Sequence, residues 1–474
     1  MPGAESAGER HGVGSKVAFW AGFAVSGGRR ARGKSAAVAT NVAAPLDLAD
    51  PSASSPQRER VSTLTMPLRI THVVNEPLGP DGASGVQQVV YCVARAQTAG
   101  GHGVFVLSRS DGPHVLADGP ARSVAGSPPL VRRDGRLRRW VLNGFLERGL
   151  AGHIEAWRPH IVHFHSIHIP ENIALAAYLD RLAIPYCITV HGGLFPPALR
   201  RSRLKKAVLT HLCERRYLNG ARFIHAVSPH ETEVIRAHGV DRPVLVVPNG
   251  VPSDADIRSS DPDRLFVSHP VLRGRRIFLF VGRLDPWQKG LDVLVEAFAA
   301  ARLRGAALVL AGPDRAGSRR RLASLARQCG AVCPVLLMDP VFGVDRANLF
   351  AAATFFVHPS RWEGLSLSVL AAAAAAKPCL LTRQADPLGA LERAGAAVIV
   401  GASVREVADG LRQMNALEAK ELDAMGARAR QVAEAQFTWE SIAARLVDGY
   451  RGALAASSHA DARRIQPSVP RALA

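Results

Sequence analysis

The sequence lacks any apolar run long enough to cross a membrane. Its longest early run, Val17 to Val25, is about half of the roughly 20 residues that a membrane-spanning helix needs. That run ends in GGRRARGK and lacks a small-residue cleavage site, so it does not predict a secretory signal either. No transmembrane helix and no secretion are therefore predicted.

The sequence also has few cysteines and no metal-ligand spacing. Six cysteines lie mostly inside apolar segments, which is typical of reduced, buried thiols and not of a secreted disulfide framework. Cys329 and Cys333 have no second Cys/His pair nearby, so no metal site is predicted there. This usage favours the cytoplasm.

Acidic residues are outnumbered, and the net charge of +19 indicates an affinity for polyanions. The absence of zinc-finger spacing, aromatic strand motifs and recognition-helix patterns argues against nucleic acid as the partner. Basic residues concentrate in two segments, 131–140 and 198–222, where they alternate with Leu, Val and Trp. Two interpretations stay open: a solvated basic face, or a surface for anionic membrane lipids.

The chain divides by composition into an extension and two α/β domains. Residues 1–65 are rich in Gly, Ala, Ser and Arg without periodicity and are predicted to be disordered, with Met66 as a plausible true start. From there apolar strand-like runs such as RITHVV, GVFVLSR and PYCITV alternate with helical stretches, as in a doubly wound parallel sheet. A first domain over 66–255 is predicted.

A polar break rich in Pro and Asp, 252–270, is typical of a linker. The alternation then restarts with RRIFLFVGRL, ALVLAG, PVLLM, TFFVHPS and PCLLT, which predicts a second α/β domain over 256–436. A terminal helix over 437–456 is expected to pack back towards the first domain, followed by a tail, 457–474. The fold class is thus α/β, with two doubly wound domains facing a cleft.

Ligands of such sheets bind beyond the carboxyl ends of the strands, next to helix N-termini. In FVGRLDPWQKGLDVL a strand ends at Gly282 and Arg283, and Lys289 precedes the next helix. In TFFVHPSRWEGLSLSVL the residues Gly364, Leu365 and Ser366 open another helix. Two cations and free backbone N–H groups are what a diphosphate needs, so the second domain is predicted to bind a nucleoside diphosphate. The residues alone leave a second interpretation open, in which Arg283 and Lys289 are surface residues of unrelated loops.

The ordered series GR-L-x4-KG-x-D-x-L and FV-x-PS-x-x-EG-L-x-L, preceded by T-x-HGG and PNGV, resembles retaining glycosyltransferases of family 4, which have the GT-B fold of two Rossmann-like domains. The resemblance extends from about Met66 to Tyr450. It implies a hexosyltransferase-like, metal-independent enzyme that transfers a sugar from a nucleotide-sugar to a glycan or lipid-linked acceptor with retention. It implies no cofactor beyond the nucleotide-sugar co-substrate.

Carried over residue by residue, the resemblance assigns the site. Arg283 and Lys289 would neutralise the donor diphosphate, with Gly282 beside them, and Glu363 would lie at the transferred sugar. The N–H groups of Gly364 and Leu365, followed by Ser366, would bind the distal phosphate. His191 would face the donor sugar, and Gly85 would lie in a loop near the phosphates. Pro248, Asn249 and Gly250 match a turn that is more architectural than catalytic.

Alternatives stay open beside this assignment. One is a non-catalytic GT-B protein acting as a binding or regulatory partner, and another is a nucleotide-sugar epimerase on the same fold. As a transferase, the protein is expected to work in cell-surface polysaccharide or glycolipid assembly, in the cytoplasm or on the inner face of the plasma membrane.

Two patterns look like metal sites but are not predicted to be. The aspartates Asp254, Asp256, Asp261 and Asp263 lie in the linker and not at a strand end. In HFHSIH, His163 and His165 share a strand face and His168 follows, yet no carboxylate or cysteine joins them in sequence. No metal is expected at either place.

One position departs from the family pattern. A second Glu usually follows the first by eight positions and accepts hydrogen bonds from the nucleotide ribose, but that position here is Ala371, inside a run of six alanines. The turn QADPLGALERAG is altered as well. A weakened hold on the nucleotide is expected.

Overall fold

The computed structural model describes residues 66–75, 85–108, 122–123, 148–196, 213–251, 260–328 and 333–465. The predicted disordered extension 1–65, the basic segment 131–140 and much of the basic segment 198–222 lie outside these ranges. So do Asp254, Asp256, Cys329 and the end of the predicted tail.

The first half of the described chain is built on one parallel sheet. Its strands, in chain order, are β1 Arg69–Val73, β2 Gly103–Leu107, β3 Arg122–Ser123, β4 Ile161–His165, β5 Tyr186–Thr189, β6 Ile224–Ala226 and β7 Val244–Val246. They lie in the order β3-β2-β1-β4-β5-β6-β7, and all neighbours are parallel. The strand order reverses between β1 and β4, which is the topological switch point of a doubly wound sheet.

The second half repeats this plan. Its strands are β8 Arg276–Val281, β9 Ala306–Ala311, β10 Val335–Met338, β11 Phe355–His358, β12 Cys379–Thr382 and β13 Ala397–Val400. Their order is β10-β9-β8-β11-β12-β13, again parallel throughout. The switch point here lies between β8 and β11. A ligand of this half is therefore expected beyond the carboxyl ends of these two strands.

Helices connect and cover both sheets. In the first half they are α1 Gly85–Ala99, α2 Arg148–Trp157, α3 Pro170–Arg181, α4 Arg215–Gly220 and α5 Pro229–Ala237. From the break onwards they are α6 Asp263–Ser268, α7 Pro286–Lys289, α8 Leu291–Ala301, α9 Ser318–Gln328, α10 Gly343–Ala352, α11 Leu367–Ala374, α12 Ala390–Arg393, α13 Val404–Ala416, α14 Ala419–Gln436 and α15 Trp439–Ile465. Among the described helices, none is both long and apolar enough to span a bilayer.

Strand burial explains why the alternation was readable from the sequence. Nearly every residue of the inner strands is buried, since helices cover both faces of each sheet, and such strands read as continuous apolar runs. All strand patterns named above form strands. The two-residue strand β3 was not predicted.

One face of the first sheet carries a polar row inside an apolar core. His72 pairs in register with His163, His165 with Thr189, and Thr189 with His225. Helices α1 and α15 cover this face, with Val89, Val93, Ile442 and Leu446 packed beside Ile70 and Ile161. Polar side chains in such a core require hydrogen-bond partners, because an unpaired buried polar group is costly.

The alanine run forms α11, which is buried between the second sheet and α14. Ala371, Ala372, Ala373 and Ala374 are all buried in this core. Helix α14 approaches so closely that a Cβ at Gly426 would lie 2.2 Å from the carbonyl oxygen of Ala376. The absence of a side chain at Gly426 therefore permits α14 to contact the backbone just after α11.

The last helix returns to the first half of the molecule, where Trp439, Ile442, Leu446, Val447 and Tyr450 of α15 join its core. Val251 and Thr438 form an isolated parallel bridge, so the chain enters and leaves the second half at adjacent points. Helix α15 continues to Ile465, beyond the predicted helix end at 456. Within the predicted linker, α6 is helical.

Candidate functional site

The candidate site of the second half lies at its switch point, where β8 and β11 end side by side. After β8, Asp285 caps α7 by accepting hydrogen bonds from the backbone N–H groups of Trp287 and Gln288, 3.2 and 3.1 Å away. The helix ends one turn later at Lys289. The cap and the short helix together fix where the lysine side chain starts.

Gly290 brings the loops after β8 and β11 together. It has a left-handed φ of 65°, and a Cβ here would lie 2.2 Å from the carbonyl oxygen of Pro359. Arg361 adds a second tie, since its guanidinium binds both carboxylate oxygens of Asp292 at 2.9 and 3.1 Å. These two contacts hold the loop that carries Lys289 and Gly290 against the loop that carries Pro359 and Ser360.

Between these two loops Lys289 and Glu363 form a buried ion pair. Lys289 Nζ lies 2.5 Å from Glu363 Oε1, and their side chains are 13% and 8% exposed. Ser360 Oγ donates to the same oxygen at 2.7 Å, and His358 Nε2 lies 3.2 Å from it. Burial by itself raises the pKa of Glu363, but Lys289 and His358 outweigh it and hold that pKa well below its usual range. Glu363 is therefore ionised at neutral pH.

The other predicted cation behaves differently. Arg283 is exposed, and its guanidinium donates to Gln288 Oε1 at 2.6 Å. It does not join the Lys289–Glu363 pair. Gly282 has a φ of 153° and lies against Gly312 at the end of β9, where a Cβ would meet the Gly282 carbonyl oxygen at 1.9 Å. The ends of β8 and β9 can approach this closely because Gly312 lacks a side chain.

The N-terminus of α11 lies next to the ion pair. Ser366 precedes its first residue, is buried and makes no side-chain capping bond. The first N–H groups of an α-helix have no partner inside the helix, and the helix dipole makes this end favourable for an anion. Gly364, Leu365 and Ser366 thus form the turn that leads into this helix N-terminus.

Loops of the first half reach this turn. Asn249 Nδ2 donates to the Leu365 carbonyl at 3.0 Å, and a Cβ at Gly364 would lie 3.9 Å from Gly192 N. A Cβ at Gly85 would lie 3.8 Å from Leu367 Cδ1, so the start of α1 also faces the start of α11. The structure therefore brings the predicted residues of both halves to one cleft.

His191 begins a strained turn after β5. Its φ is 47°, which is uncommon for a residue with a side chain, and Gly192 follows with a φ of 71°. The carboxylate of Glu231 holds this turn by accepting from the N–H groups of Gly192 at 2.6 Å and Val227 at 2.8 Å. Glu231 is fully buried, and burial raises its pKa.

The ring of His191 contacts a row of buried histidines. His191 Nε2 lies 3.0 Å from His165 Nδ1, and His165 Nε2 lies 3.0 Å from His72 Nδ1. Burial lowers the pKa of His191 to about 3 and those of His72 and His225 to about 4. Burial also holds the pKa of His163 and of His165 well below the usual range. These rings are neutral at pH 7.

The patterns that resembled metal sites have other partners. His168 leaves the histidine row and pairs with Glu214, with its Nδ1 2.6 Å from Glu214 Oε2. Ligand atoms of His72, His163 and His165 do lie within 4.8 Å of one another. Both ring nitrogens of His163, however, are bonded at 2.6 Å, to Tyr450 and Thr189. Asp261 and Asp263 are exposed at the start of α6 and away from any strand end.

Ala371 lies in the second turn of α11 and is 8% exposed. It lines a groove of about 260 Å³ together with basic side chains, Arg346, Lys377 and Arg430. Burial lowers the pKa of Lys377 to about 8, and its Nζ donates to the carbonyls of Ala351 and Ala353. Space for a longer side chain thus exists at this position.

Several residues of the site were not predicted. His358 and Ser360 share the carboxylate of Glu363, Glu231 holds the His191 turn, and Gln97 and Tyr450 contact the histidine row. The position of His358 as the last residue of an apolar strand was a usable signal. Asn249, which had seemed architectural, also links the two halves.

Two family models match the chain. The "Glycosyl transferase 4-like domain" matches residues 84–250, and "Glycosyl transferases group 1" matches residues 275–416. The two matched regions coincide with the two halves of the described structure.

Curated relatives share part of their length with this chain. A GDP-mannose-dependent alpha-(1-6)-phosphatidylinositol monomannoside mannosyltransferase of Mycobacterium tuberculosis is 32% identical over 36% of this chain and 46% of its own length. A D-inositol 3-phosphate glycosyltransferase of Mycobacterium leprae is 26% identical over 58% of this chain and 65% of its own length. The chain thus spans about half to two thirds of these relatives.

Solved structures share the fold over a longer stretch. A sucrose-phosphate synthase from Thermosynechococcus elongatus superposes with a TM-score of 0.64 at 19% identity, covering 82% of this chain and 100% of the synthase. At this identity the likeness shows the fold, which is GT-B as expected from the sequence.

Proposed function

The chain belongs to the group 1 glycosyltransferases of family 4, and we propose that it transfers a sugar from a nucleoside-diphosphate sugar to an acceptor hydroxyl. The observation that carries this proposal is the buried Lys289–Glu363 pair at the switch point of the second sheet. The pair lies beside the N-terminus of α11 and opposite the His191 turn of the first half. A cation, a carboxylate and a helix N-terminus at one cleft match a phosphate linked to a sugar.

In this proposal the donor diphosphate lies between the loop after β8 and the start of α11. Lys289 and the exposed guanidinium of Arg283 bind its oxygens, and the N–H groups at Gly364 and Leu365 bind the distal phosphate. These groups stabilise the charge that develops on the leaving phosphate, which is commonly the largest contribution when no covalent nucleophile acts. Turnover should then be insensitive to EDTA.

Glu363 orients the transferred sugar. Lys289 and His358 keep it ionised, so its carboxylate accepts hydrogen bonds from sugar hydroxyls and cannot act as a general acid near pH 7. The acceptor hydroxyl approaches the face that the phosphate leaves and passes its proton to the departing phosphate oxygen. The expected product retains the anomeric configuration, which NMR of the product reveals.

The names of the relatives guide the choice of substrates. One is described as GDP-mannose-dependent and acting on a phosphatidylinositol monomannoside, and the other as a D-inositol 3-phosphate glycosyltransferase. GDP-mannose and other GDP-, UDP- and ADP-sugars are therefore the donors to screen, and inositol phosphates and lipid-linked inositols are the first acceptors.

Thermal shift with these donors, followed by radiolabel transfer, tests the proposal. A bound donor raises the melting temperature because it binds only the folded state. Lys289→Met should lower turnover by about 100-fold or more, as removal of one charge-stabilising donor does elsewhere. Glu363→Gln should also lower turnover, because the amide replaces a carboxylate that accepts hydrogen bonds from the sugar hydroxyls. Arg383→Met, which removes an exposed cation paired with Glu392, is the control and should retain turnover. If Glu363→Gln and Lys289→Met retained as much turnover as the control Arg383→Met, the proposed site would be refuted.

A membrane location is a separate proposal, supported by the basic-apolar segments 131–140 and 198–222 of the sequence. In it the protein works on the inner face of the plasma membrane. Vesicles containing anionic lipid should sediment the protein at low salt, and neutral vesicles should not. Equal recovery with both vesicles would contradict it.

A further inference from the structure

A continuous chain of hydrogen bonds runs through the first half, from the carbonyl of Val247 to the ring of His191. Its members are His225, Thr189, His163, Tyr450, Gln97, His72 and His165. Tyr450 belongs to α15, the last helix, and is fully buried. These hydrogen bonds therefore connect α15 to His191 at the cleft.

The Val247 end of the hydrogen-bond chain determines which group donates and which accepts at every link. His225 Nε2 lies 2.7 Å from the Val247 carbonyl oxygen, which only accepts, so this nitrogen carries the proton. In a neutral ring the other nitrogen then accepts, and the hydroxyl of Thr189 donates to His225 Nδ1 at 2.7 Å. The Thr189 oxygen in turn accepts from His163 Nε2 at 2.6 Å.

The same rule, one donating and one accepting nitrogen in each neutral ring, fixes the donors and acceptors in the middle of the hydrogen-bond chain. His163 Nδ1 is now the acceptor, so the Tyr450 hydroxyl donates to it at 2.6 Å. The Tyr450 oxygen accepts from Gln97 Nε2 at 3.5 Å, which orients the amide. Gln97 Oε1 then faces His72 and accepts from His72 Nε2 at 2.8 Å.

The chain ends at the cleft with one tautomer. His72 Nδ1 accepts from His165 Nε2, and His165 Nδ1 accepts from His191 Nε2, each at 3.0 Å. His191 thus carries its proton on Nε2 and a lone pair on Nδ1. Burial keeps the rings neutral, which is the condition that the rule requires.

We propose that Gln97 and Tyr450 are positioning residues that hold His191 in the tautomer with a lone pair on Nδ1, facing the reacting sugars as a hydrogen-bond acceptor. This inference rests on the proposed transferase function of the cleft. With the reverse tautomer, His191 would present an N–H group, and a hydroxyl that needs an acceptor would lose its partner. The longest link, between Gln97 and Tyr450, is where the direction is most easily lost.

A metal ion at His72, His163 and His165 is the competing explanation of the cluster. A bound ion would have to take nitrogens that already have hydrogen-bond partners, and within the part of the chain that the structure describes no carboxylate bonds to these three rings. Three neutral ligands would then leave the charge of the ion buried and uncompensated. The hydrogen-bond chain needs no such compensation.

Ring nitrogens of ¹⁵N-histidine-labelled protein test the tautomer without any substrate. Protonated and unprotonated ring nitrogens resonate in separate regions, and His191→Asn identifies the signals of His191. In the wild type at pH 7, His191 should show a protonated Nε2 and an unprotonated Nδ1. A protonated Nδ1 in the wild type would overturn the proposal.

Two variants and a control then test the positioning residues. Gln97→Met removes the acceptor for His72 and should convert His191 largely to the reverse tautomer, whereas Tyr450→Phe frees the amide and should give a mixture. Tyr186→Phe is the control, because it removes another buried tyrosine hydroxyl in the same half, one that donates to the Tyr217 carbonyl at 2.9 Å. Unchanged His191 signals in both test variants, or equal change in the control, would refute the assignment.

Kinetics then separate a positioning role from a structural one. Gln97→Met should lower kcat about five- to tenfold, which is the effect of one lost hydrogen bond, and Tyr450→Phe about twofold, with the donor KM unchanged in both. A shifted tautomer with unchanged kcat would refute the catalytic part. Stoichiometric metal in the purified protein that His163→Gln removes would overturn the whole proposal. Absence of turnover in the wild type would instead contradict the transferase function. The tautomer assignment would then be decided by the ¹⁵N spectrum alone.

Discussion

Replacing Lys289 with methionine should destabilise the protein at neutral pH, because it leaves the Glu363 carboxylate buried without its cation. The side chain of Glu363 is only 8% exposed, and Lys289 Nζ is 2.5 Å away. Removing one partner of a buried ion pair costs about 3–5 kcal/mol. His358 and Ser360 still donate to the carboxylate, so we expect a loss near the lower end, about 3 kcal/mol.

The effect should depend on pH in a defined direction. In the wild type the pKa of Glu363 is held below its usual range, so the pair stabilises the protein above the unfolded-state pKa of about 4.3. In Lys289→Met burial prevails and raises the pKa of Glu363, so the penalty grows as pH rises from about 4. The difference between variant and wild type should therefore be larger at pH 7 than at pH 4.

Urea unfolding followed by tryptophan fluorescence measures this difference, since the rings of Trp287 and Trp362 lie 4.6 Å apart next to the pair. Glu363→Gln in the Lys289→Met background should recover part of the lost stability, because it removes the unpaired charge. Arg383→Met, at an exposed pair, should change little. Wild-type stability of Lys289→Met at pH 7, or no recovery in the double variant, would refute the reasoning.

Three further changes have expected outcomes. Gly290→Ala should lower the free energy of unfolding in urea by about 2 kcal/mol and weaken donor binding. Gly274→Ala is its control, because Gly274 has a similar φ of 73° but no atom near its Cβ, so this variant should lose only the left-handed strain of about 1 kcal/mol. Equal losses in the two variants would contradict the close approach at Gly290. His72 and His225, whose pKa values are lowered to about 4, should make the protein about 2 kcal/mol less stable each between pH 7 and pH 5, because the unfolded chain binds protons there and the folded one does not. A flat profile by urea unfolding would contradict their burial as neutral rings. Ala371→Glu should lower the donor KM about 10- to 100-fold with less change in kcat, and an unchanged or higher KM would refute a role of this position in holding the ribose.

The fold was predictable because its signal is local. Strands such as β8 and β9 are buried on both faces, so each reads as an apolar run bounded by glycine or proline. The strand β3 has two residues and carries no such run.

The sequence named residues that the structure brings together, but it did not predict how they are arranged. Lys289 and Glu363 each lie at a strand end next to a helix, and the sequence placed both in the donor site. Their ion pair joins positions 74 residues apart and depends on β8 lying beside β11, which no local pattern specifies. Arg283, which the resemblance assigned with Lys289 to the donor diphosphate, is exposed and donates to Gln288 Oε1, so it does not take part in the ion pair.

The histidine row was the least predictable part. The bond between Gln97 and Tyr450 joins residues 353 positions apart, on the first and last helices. Each of these residues resembles an ordinary polar group in an amphipathic helix, and only the return of α15 to the first sheet brings them to His72 and His163.

The alanine run combines a structural requirement with a functional departure. Ala372 and Ala373 are almost fully buried in the core that α11 shares with α14, so a larger side chain at either position would have to displace packed neighbours. Ala371 is different, because it lines a groove with Lys377 and Arg430 where a longer side chain fits. Packing therefore explains the alanines on the α14 side, but it does not require alanine at 371. We therefore expect a carboxylate introduced at this position to change how the donor nucleotide is held more than how the helix packs.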